Sequence, residues 1–219
     1  GLLAEIGENA KLLAGGQSLV PMMAMRLVQT ENVIDINKVA EIQGIERQEN
    51  FLRVGAATTQ ATVESDSVVG EAVPLLTQAL PLVGHFQIRN RGTIGGSIAH
   101  ADAASELPAV ALALDAELHI AGSKKDRALP AEEFFEGLWT TALEADELLT
   151  HIDFPIWEGN SGFALEEIAP RSGDFALAGG AVGLKLAEDS TISQAAISLF
   201  GVASTPVRAG VAETALRGE

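Results

Sequence analysis

The chain has 219 residues, 47% of them hydrophobic, which is enough to bury a core in one large domain or in two smaller ones. Its formal net charge of −16 provides no basic stripe for phosphates and argues against a nucleic-acid partner. Cysteine is absent, which excludes disulfides, thiolate-bound iron–sulfur clusters and zinc ribbons within this chain and fits a cytoplasmic location. No apolar run reaches the length of a membrane span.

Short strands and helices are predicted in the first half of the chain. The first residues have the spacing of the end of a helix and there is no initiator methionine, so we expect either a fragment of a longer protein or a chain whose ends are not native. Strands are predicted at 11–14, 32–36 and 51–59 from their apolar or alternating patterns. Helices are predicted near Pro21, over 60–64, and over 71–83, where prolines interrupt the pattern.

The pattern changes in the last third of the chain. Before it, 107–120 begins as a helix or buried strand and ends as a strand, 123–130 is predicted as a turn, and 146–156 as a strand. After Glu158, three stretches are typical of antiparallel strands: "FALEEIAP", "FALAGGAVGLKLA" and "ISQAAISLFGVA". A helix begins near the end, and we predict a boundary near 158–161.

Two glycine-rich stretches, "LAGGQSL" at 13–19 and "GTIGGSI" at 92–98, lie between apolar runs. They could be two tight turns. They could also be loops whose backbone N–H groups converge on an anion, because glycine lets a ligand approach the backbone and the serine adds a donor. Neither stretch matches the phosphate-loop or dinucleotide-binding fingerprints.

Several polar residues surround the second stretch. None of the four histidines has metal-ligand spacing on a helix or belongs to a readable catalytic triad, but His100 follows the stretch directly. Arg89 and Arg91 either form surface salt bridges or neutralise a phosphate. Asp102 and Glu106 are either solvated or accept hydrogen bonds from the hydroxyls of a bound sugar alcohol.

Two longer motifs carry a resemblance to a known family. "KLLAGGQSLVPMMAMRL" and "IRNRGTIGGSIAHADAASELPAVALALDA" resemble the signatures of the FAD-binding medium subunit of molybdenum hydroxylases, of the aerobic carbon monoxide dehydrogenase and xanthine dehydrogenase type. "RSGDFALAGGAV" at 171–182 is similar to the start of that family's C-terminal domain. The resemblance covers nearly the whole chain.

The resemblance implies an α+β fold of the vanillyl-alcohol-oxidase type. Residues 1–158 would form an FAD-binding domain of two lobes, with a boundary near residue 50. Residues 161–219 would form a small, truncated C-terminal domain with an antiparallel sheet and helices.

The resemblance also implies the residues that bind FAD. The first pyrophosphate loop corresponds to Ala14, Gly15, Gly16, Gln17 and Ser18, and the second to Thr93, Ile94, Gly95, Gly96 and Ser97. Leu12 and Leu13 match positions that line the cofactor slot, and Glu106 matches an acidic position near the ribityl chain. A valine at Gly16 or Gly95 is then expected to abolish most FAD binding while leaving the fold intact.

The resemblance finally implies a division of chemistry among subunits. A large molybdenum subunit oxidises the substrate, a small subunit carries two [2Fe–2S] clusters, and this chain passes their electrons through FAD to an external acceptor, within a heterotrimer. No catalytic residue and no metal ligand is assigned here. The alternatives are a stand-alone FAD-dependent oxidase, which usually needs an active-site Tyr or a covalent flavin link through His or Cys, and a scaffold that has lost FAD.

Overall fold

Four β-sheets organise the fold of this chain. The computed structural model describes residues 1–219, except for the side chain of Glu8. The strands are β1 Ala10–Leu13, β2 Asn32–Asp35, β3 Ile45–Arg47, β4 Phe51–Gly55, β5 Glu117–Ala121, β6 Arg127–Pro130, β7 Phe135–Gly137, β8 Thr140–Thr141, β9 Leu148–Pro155, β10 Ser161–Ile168, β11 Ala178–Leu186, β12 Ile192–Phe200 and β13 Val207–Arg208.

The helices are short and are bounded by capping residues and prolines. They are α1 Leu2–Ile6, α2 Leu19–Ala24, α3 Gln60–Ser65, α4 Ser67–Ala72, α5 Pro74–Ala79, α6 Phe86–Arg89, α7 Ile94–His100, α8 Glu106–Ala113, α9 Ala131–Phe134 and α10 Gly210–Leu216, with 3₁₀ turns at Gly7–Asn9, Ala40–Ile42 and Leu80–Leu82. Thr59 and Asp66 cap α3 and α4 through their side chains, and α5 begins at Pro74, whose missing N–H costs nothing there. The single helix predicted over 71–83 is divided in the structure into the end of α4, the whole of α5 and the 3₁₀ turn at Leu80–Leu82.

The N-terminal unit is a β1–α2–β2 crossover. β1 and β2 pair in parallel, with Leu13 opposite Asp35. Leu12 and Ala14 pack against a small separate core of Ile36, Ile42 and Ala57. Because the carboxyl ends of parallel strands meet at one edge, the first glycine segment leaves β1 beside the end of β2.

The central sheet has five strands in the order β3-β4-β9-β5-β6, all antiparallel to their neighbours. Residues on one face of the sheet, such as Leu52, Leu118 and Ile152, are fully buried in the main core. The same core contains α8, all eight residues of which are buried, so this helix lies at the centre of the molecule. Alternation along the strands leaves charged and polar side chains on the opposite face.

The C-terminal unit is an antiparallel sheet in the order β10-β11-β12-β13, followed by α10. Its Leu165, Ala181 and Phe200 belong to the same buried core as the central sheet. Arg208 joins the units: it donates to the Leu112 carbonyl at the end of α8 over 2.7 Å and pairs with the buried Glu213. The hydrophobic core is therefore continuous across residues 158–161.

Most of the predicted elements are present, and the α+β class with a C-terminal antiparallel sheet is confirmed. The prediction of a turn over 123–130 is wrong for Arg127–Pro130, which pairs with β5 as an edge strand. The strand predicted over 51–59 ends at Gly55, where the chain turns so that the Thr58 N–H reaches the Gly55 carbonyl at 2.9 Å. Among the described residues, no helix combines the length and apolarity needed to cross a membrane.

Candidate flavin-binding site

The first glycine segment is a tight turn between β1 and α2. Gly16 has φ +75°, a left-handed conformation that residues with a Cβ rarely adopt. Gly15 is buried because the segment rests on the backbone of the second segment. A Cβ on Gly15 would overlap the Arg91 carbonyl oxygen and lie 2.6 Å from the Gly92 Cα. This turn therefore needs both glycines, one for its conformation and one for a close approach.

The turn presents unpaired backbone donors. The N–H groups of residues 15, 16, 17 and 18 donate to no other part of the described chain. Two carbonyls of the turn, in contrast, accept hydrogen bonds from side chains. Asn37 donates from Nδ2 to the Ala14 carbonyl at 2.6 Å, and Gln17 donates from Nε2 to the Gly15 carbonyl at 3.2 Å. Successive free N–H groups of this kind form a site for an anion.

An open cleft of about 300 Å³ lies beside this turn. Leu13, Gly15, Gly16, Gln17, Val20, Pro21 and Arg91 line it. Of the two arginines considered from the sequence, only Arg91 lies at this cleft. Arg89 is held by Glu64 in a two-point ion pair with N···O distances of 2.7 and 3.1 Å, so its role is structural.

The second glycine segment is the start of α7, which corrects the interpretation of "GTIGGSI" as a loop. Thr93 caps the helix, its Oγ1 accepting from the Gly96 N–H at 3.0 Å. The N–H groups of Ile94 and Gly95 donate to the carbonyls of Thr58 and Ala56 at 3.0 and 2.9 Å. The backbone donors of this segment are therefore largely used within the protein.

Gly95 is needed for packing. It is buried, and a Cβ there would overlap the Ala56 side chain and lie 2.6 Å from the Ala56 Cα. The expectation that valine at Gly95 leaves the fold intact is therefore wrong, because the larger side chain cannot fit between α7 and the turn after β4.

The two glycine segments lie against one another. Besides the contact of Gly15 with Arg91 and Gly92, a Cβ on Gly96 would lie 3.4 Å from the Ala14 Cβ. Ser18 and Ser97 are both half-buried, one in each segment. Leu12 and Ile94 instead pack into the two cores, so they support the segments.

Glu106 begins α8 and is 6% exposed. The pKa of its carboxyl is raised to about 7, mainly by burial, with smaller contributions from the nearby carboxylates of Glu167 and Asp102. Asp102 is not free: one of its oxygens accepts from the Ala104 N–H at 2.9 Å and the other from the Trp139 indole at 3.2 Å. His100 stacks on the same Trp139, with ring centroids 6.2 Å apart, and burial lowers its pKa.

Asn37 is the contributor that sequence reasoning missed. The signal was the order "DIN" at the end of β2. Asp35 accepts from the Asn37 N–H at 2.9 Å and from its side-chain amide at 2.7 Å, which aims that amide at the turn after the neighbouring β1. Asn37 lies beside the first glycine segment only because β1 and β2 pair in parallel, and the sequence alone does not show this pairing.

Comparison with family models agrees with this geometry. Residues 1–157 match the FAD binding domain in molybdopterin dehydrogenase, and residues 163–219 match the CO dehydrogenase flavoprotein C-terminal domain. Both glycine segments, Arg91 and Glu106 fall within the first match.

Individual relatives span most of the chain. It is 40% identical to the carbon monoxide dehydrogenase medium chain of Hydrogenophaga pseudoflava over 94% of this chain and 72% of the relative. It is 41% identical to caffeine dehydrogenase subunit beta of Pseudomonas sp. (strain CBB1), over 94% of this chain and 70% of the relative.

Solved structures give the same result. A chain of carbon monoxide dehydrogenase from Hydrogenophaga pseudoflava superposes with a TM-score of 0.97 and 41% identity, over 100% of this chain and 76% of that one. A chain of quinoline 2-oxidoreductase from Pseudomonas putida 86 gives 0.93 and 37%, over 100% and 75%. This chain therefore belongs to the family of FAD-binding medium subunits of molybdenum hydroxylases, and it is an oxidoreductase subunit whose cofactor is FAD.

Proposed function

We propose that this chain holds one FAD without a covalent bond and carries electrons from iron–sulfur clusters of a small partner subunit to an external acceptor. A large molybdenum subunit would oxidise the substrate. The names of relatives as medium chains support larger and smaller partners in a heterotrimer. The observation that carries the proposal is the turn of four free N–H groups beside Arg91, which suits a pyrophosphate.

The residues of this turn fit the phosphate part of FAD. The free N–H groups of Gly15–Ser18 would donate to the pyrophosphate, and Arg91 would offset its charge in an otherwise acidic chain. A Cβ at Gly16 would lie 3.2 Å from Leu13 and 3.3 Å from Val20, so the turn has little room for a side chain. Leu13 would contact the cofactor directly, whereas Leu12 would support it from the core.

The second segment would act differently from the first. The N–H groups of Ile94, Gly95 and Gly96 already have acceptors within the protein. The second segment would therefore contact FAD through the Ser97 hydroxyl and through the Cα of Gly96, which lies beside Ala14. Thr93, Ile94 and Gly95 would hold this surface in place. Glu106 would accept hydrogen bonds from hydroxyls of the ribityl chain.

The chain's contribution to the chemistry is binding and orientation. When bound, FAD supplies the isoalloxazine ring, which takes up and releases electrons. We assign no acid or base to this chain. We propose an FAD-binding domain at 1–158, a C-terminal domain at 161–219 and a cytoplasmic location for the complex. A lobe boundary at residue 50 would divide the hairpin of β3 and β4, so we place the division between the lobes after β2 and before Ile45.

The test separates electron transfer from substrate oxidation. The FAD-loaded chain is mixed without oxygen with the iron–sulfur subunit, which has been reduced by dithionite and then freed of excess dithionite, and with the unreduced subunit as a control. We expect the visible absorption of oxidised flavin to disappear only with the reduced subunit. We expect the isolated chain to turn over no carbon monoxide, caffeine or xanthine with a dye acceptor. Turnover by the isolated chain would instead support a stand-alone oxidase, and an unchanged flavin spectrum would contradict the electron path.

A further inference from the structure

The polar face of the central sheet brings together two histidines from distant parts of the chain. His119 on β5 lies opposite His151 on β9, and Glu117 lies opposite Asp153 in the same pairing. Arg53 on β4 lies opposite Asp153 from the other side. Because side chains alternate along a strand, these five side chains share one face, away from the main core.

The two imidazoles are close but unsatisfied. Their rings stack with centroids 4.1 Å apart and planes 16° apart. The Nε2 atoms of both rings are buried and have no hydrogen-bond partner among the described residues. The Nε2 of His119 lies 3.0 Å from Asp153 Oδ2, and the ligand atoms offered by these three residues all lie within 4.8 Å of one another.

Thr150 fixes which nitrogen of His151 is free. The Thr150 hydroxyl donates its only proton to the His119 carbonyl at 3.0 Å. Its contact of 3.1 Å with His151 Nδ1 therefore requires Nδ1 to carry a proton and donate. The lone pair of His151 is then on Nε2, the atom that lacks a partner, and an outer hydrogen bond of this kind is what orients histidines that bind metals.

We propose that His119, His151 and Asp153 form a binding site for a divalent transition metal ion of the zinc type. The ligands are Nε2 of each histidine and Oδ2 of Asp153, and Glu117, whose Oε1 is 3.6 Å from His119 Nε2, is available as a fourth. Imidazole nitrogens select zinc, copper or nickel over magnesium or calcium. Tetrahedral zinc with ligands at about 2.1 Å needs ligand atoms about 3.4 Å apart. Because a bound ion lies in the plane of each imidazole, one of the two stacked rings must also turn so that both Nε2 lone pairs point at the ion.

An ion pair between protonated His119 and Asp153 explains fewer of the observed contacts than a bound metal ion does. It accounts for the 3.0 Å separation, but His119 Nε2 still lacks a well-oriented hydrogen bond and His151 Nε2 stays unpartnered. A metal ion satisfies both nitrogens. Arg53 donates to both oxygens of Asp153, at 2.8 and 2.7 Å, and so competes with a metal ion for the carboxylate. Removing Arg53 therefore distinguishes a metal site from a simple ion pair.

The experiment is a calorimetric titration of the purified, chelator-treated chain, without a polyhistidine tag, with zinc chloride. We expect saturable binding of one ion per chain. His119→Gln and His151→Gln should each weaken it by about tenfold to hundredfold, whereas His85→Gln, at an exposed histidine outside the cluster, should not. Cobalt(II) should give the visible absorption of a nitrogen-coordinated ion, and magnesium should not bind.

Arg53→Met supplies a test that does not depend on losing a ligand. Removing this cation frees Asp153, so we expect zinc to bind more tightly, and circular dichroism checks that each variant is folded. Three results would overturn the proposal: no saturable zinc binding, zinc affinity in folded His119→Gln and His151→Gln equal to that of the unaltered chain, or weaker zinc binding in folded Arg53→Met. FAD content, measured in parallel, should be the same in all of these variants, so the outcome is independent of the flavin site.

Discussion

At the scale of single residues, neighbouring glycines in this chain have different tasks. Gly16 provides a left-handed backbone conformation, whereas Gly15 allows two backbones to touch. Both tasks serve the turn whose N–H groups are free. The consequence is that even a single added methyl group at Gly15 changes the relation between the two segments.

We expect Gly15→Ala to weaken FAD binding while preserving most of the secondary structure. The new Cβ must push the turn away from Arg91 and Gly92, at a cost of about 1–3 kcal/mol for such overpacking. Because both segments border the proposed phosphate site, the dissociation constant of FAD should rise by about tenfold to hundredfold. Flavin fluorescence titration measures it.

The matched control is Gly162→Ala on β10. This glycine is exposed, and a Cβ there would meet no atom of the described residues within 4 Å. FAD affinity in this variant should equal that of the unaltered chain. Unchanged affinity in folded Gly15→Ala would mean that the phosphate does not bind at this turn.

Glu106 links stability to pH. Its pKa of about 7 in the folded chain exceeds the ordinary value of 4.5, so the folded state binds its proton more tightly than the unfolded state. The free energy of unfolding should therefore fall as pH rises from about 4.5 to 7 and then stay level. In the FAD-free chain, Glu106→Gln should raise it by up to about 3 kcal/mol at pH 8 and change it little at pH 4.

The same substitution should weaken FAD binding at pH 8. Loss of a charge-assisted hydrogen bond to a ribityl hydroxyl corresponds to about 1.5–3 kcal/mol, or a tenfold or larger increase in the dissociation constant. Urea unfolding at both pH values and FAD titration measure the two effects. A variant with wild-type pH dependence would contradict the burial argument, and a variant with unchanged affinity would remove Glu106 from the site.

At the scale of elements, α7 depends on its contact with the turn after β4. Gly95→Ala should lower the free energy of unfolding by about 1–3 kcal/mol, because its Cβ overlaps Ala56. Adding Ala56→Gly should restore part of this loss, since the Ala56 Cα and carbonyl still lie 2.6 and 2.8 Å from the new atom. Thermal unfolding of the single and double variants measures the coupling. Independent, additive losses would show that the two residues do not meet.

Arg208 holds the C-terminal sheet to α8. Arg208→Met leaves the carboxylate of Glu213, which is 5% exposed, without its guanidinium and should cost about 3–5 kcal/mol. The control is Arg47→Met, because the Arg47–Glu71 pair is exposed and 3.7 Å apart, and it should change stability by less than about 1 kcal/mol. Chemical denaturation compares them, and equal effects would contradict this account of the junction.

Local patterns predicted elements more reliably than contacts between them. The strands at β1, β2, β9 and in the C-terminal sheet follow from apolar runs and alternation, which depend on near neighbours only. The edge strand at Arg127–Pro130 was missed because its charged start resembles a turn, and only pairing with β5 makes it a strand. The helical start at Ile94 was missed because Gly95, which packs closely against Ala56, resembles a loop glycine in the sequence.

The candidate site could be predicted only in part for the same reason. Motif resemblance identified Gly15, Gly16 and the second segment. It gave no indication that the N–H groups of Ile94 and Gly95 are occupied, which follows from bonds to Thr58 and Ala56. The contact between His119 and His151 could not be predicted from the sequence, because it depends on the register between β5 and β9 and not on a short spacing along the chain.

At the scale of the whole molecule, the main core joins the second glycine segment to the C-terminal sheet, whereas the first glycine segment rests on the small separate core. α8 carries Glu106 at its start and accepts the Arg208 contact at its end. α8 therefore links Glu106, which we propose lies near the ribityl chain, to the C-terminal unit. A chain organised in this way, without cysteine, suits a subunit that holds one cofactor and depends on partners for iron–sulfur and molybdenum chemistry.

The most direct measurement is the flavin content of the native complex before and after denaturation. The complex containing this chain is precipitated with acid, and FAD is quantified separately in the supernatant and in the precipitated protein. We predict one FAD per chain, all of it released, because the proposed contacts are hydrogen bonds and packing. Native complex without flavin, or flavin that stays attached to the precipitated chain, would contradict non-covalent FAD binding by this subunit.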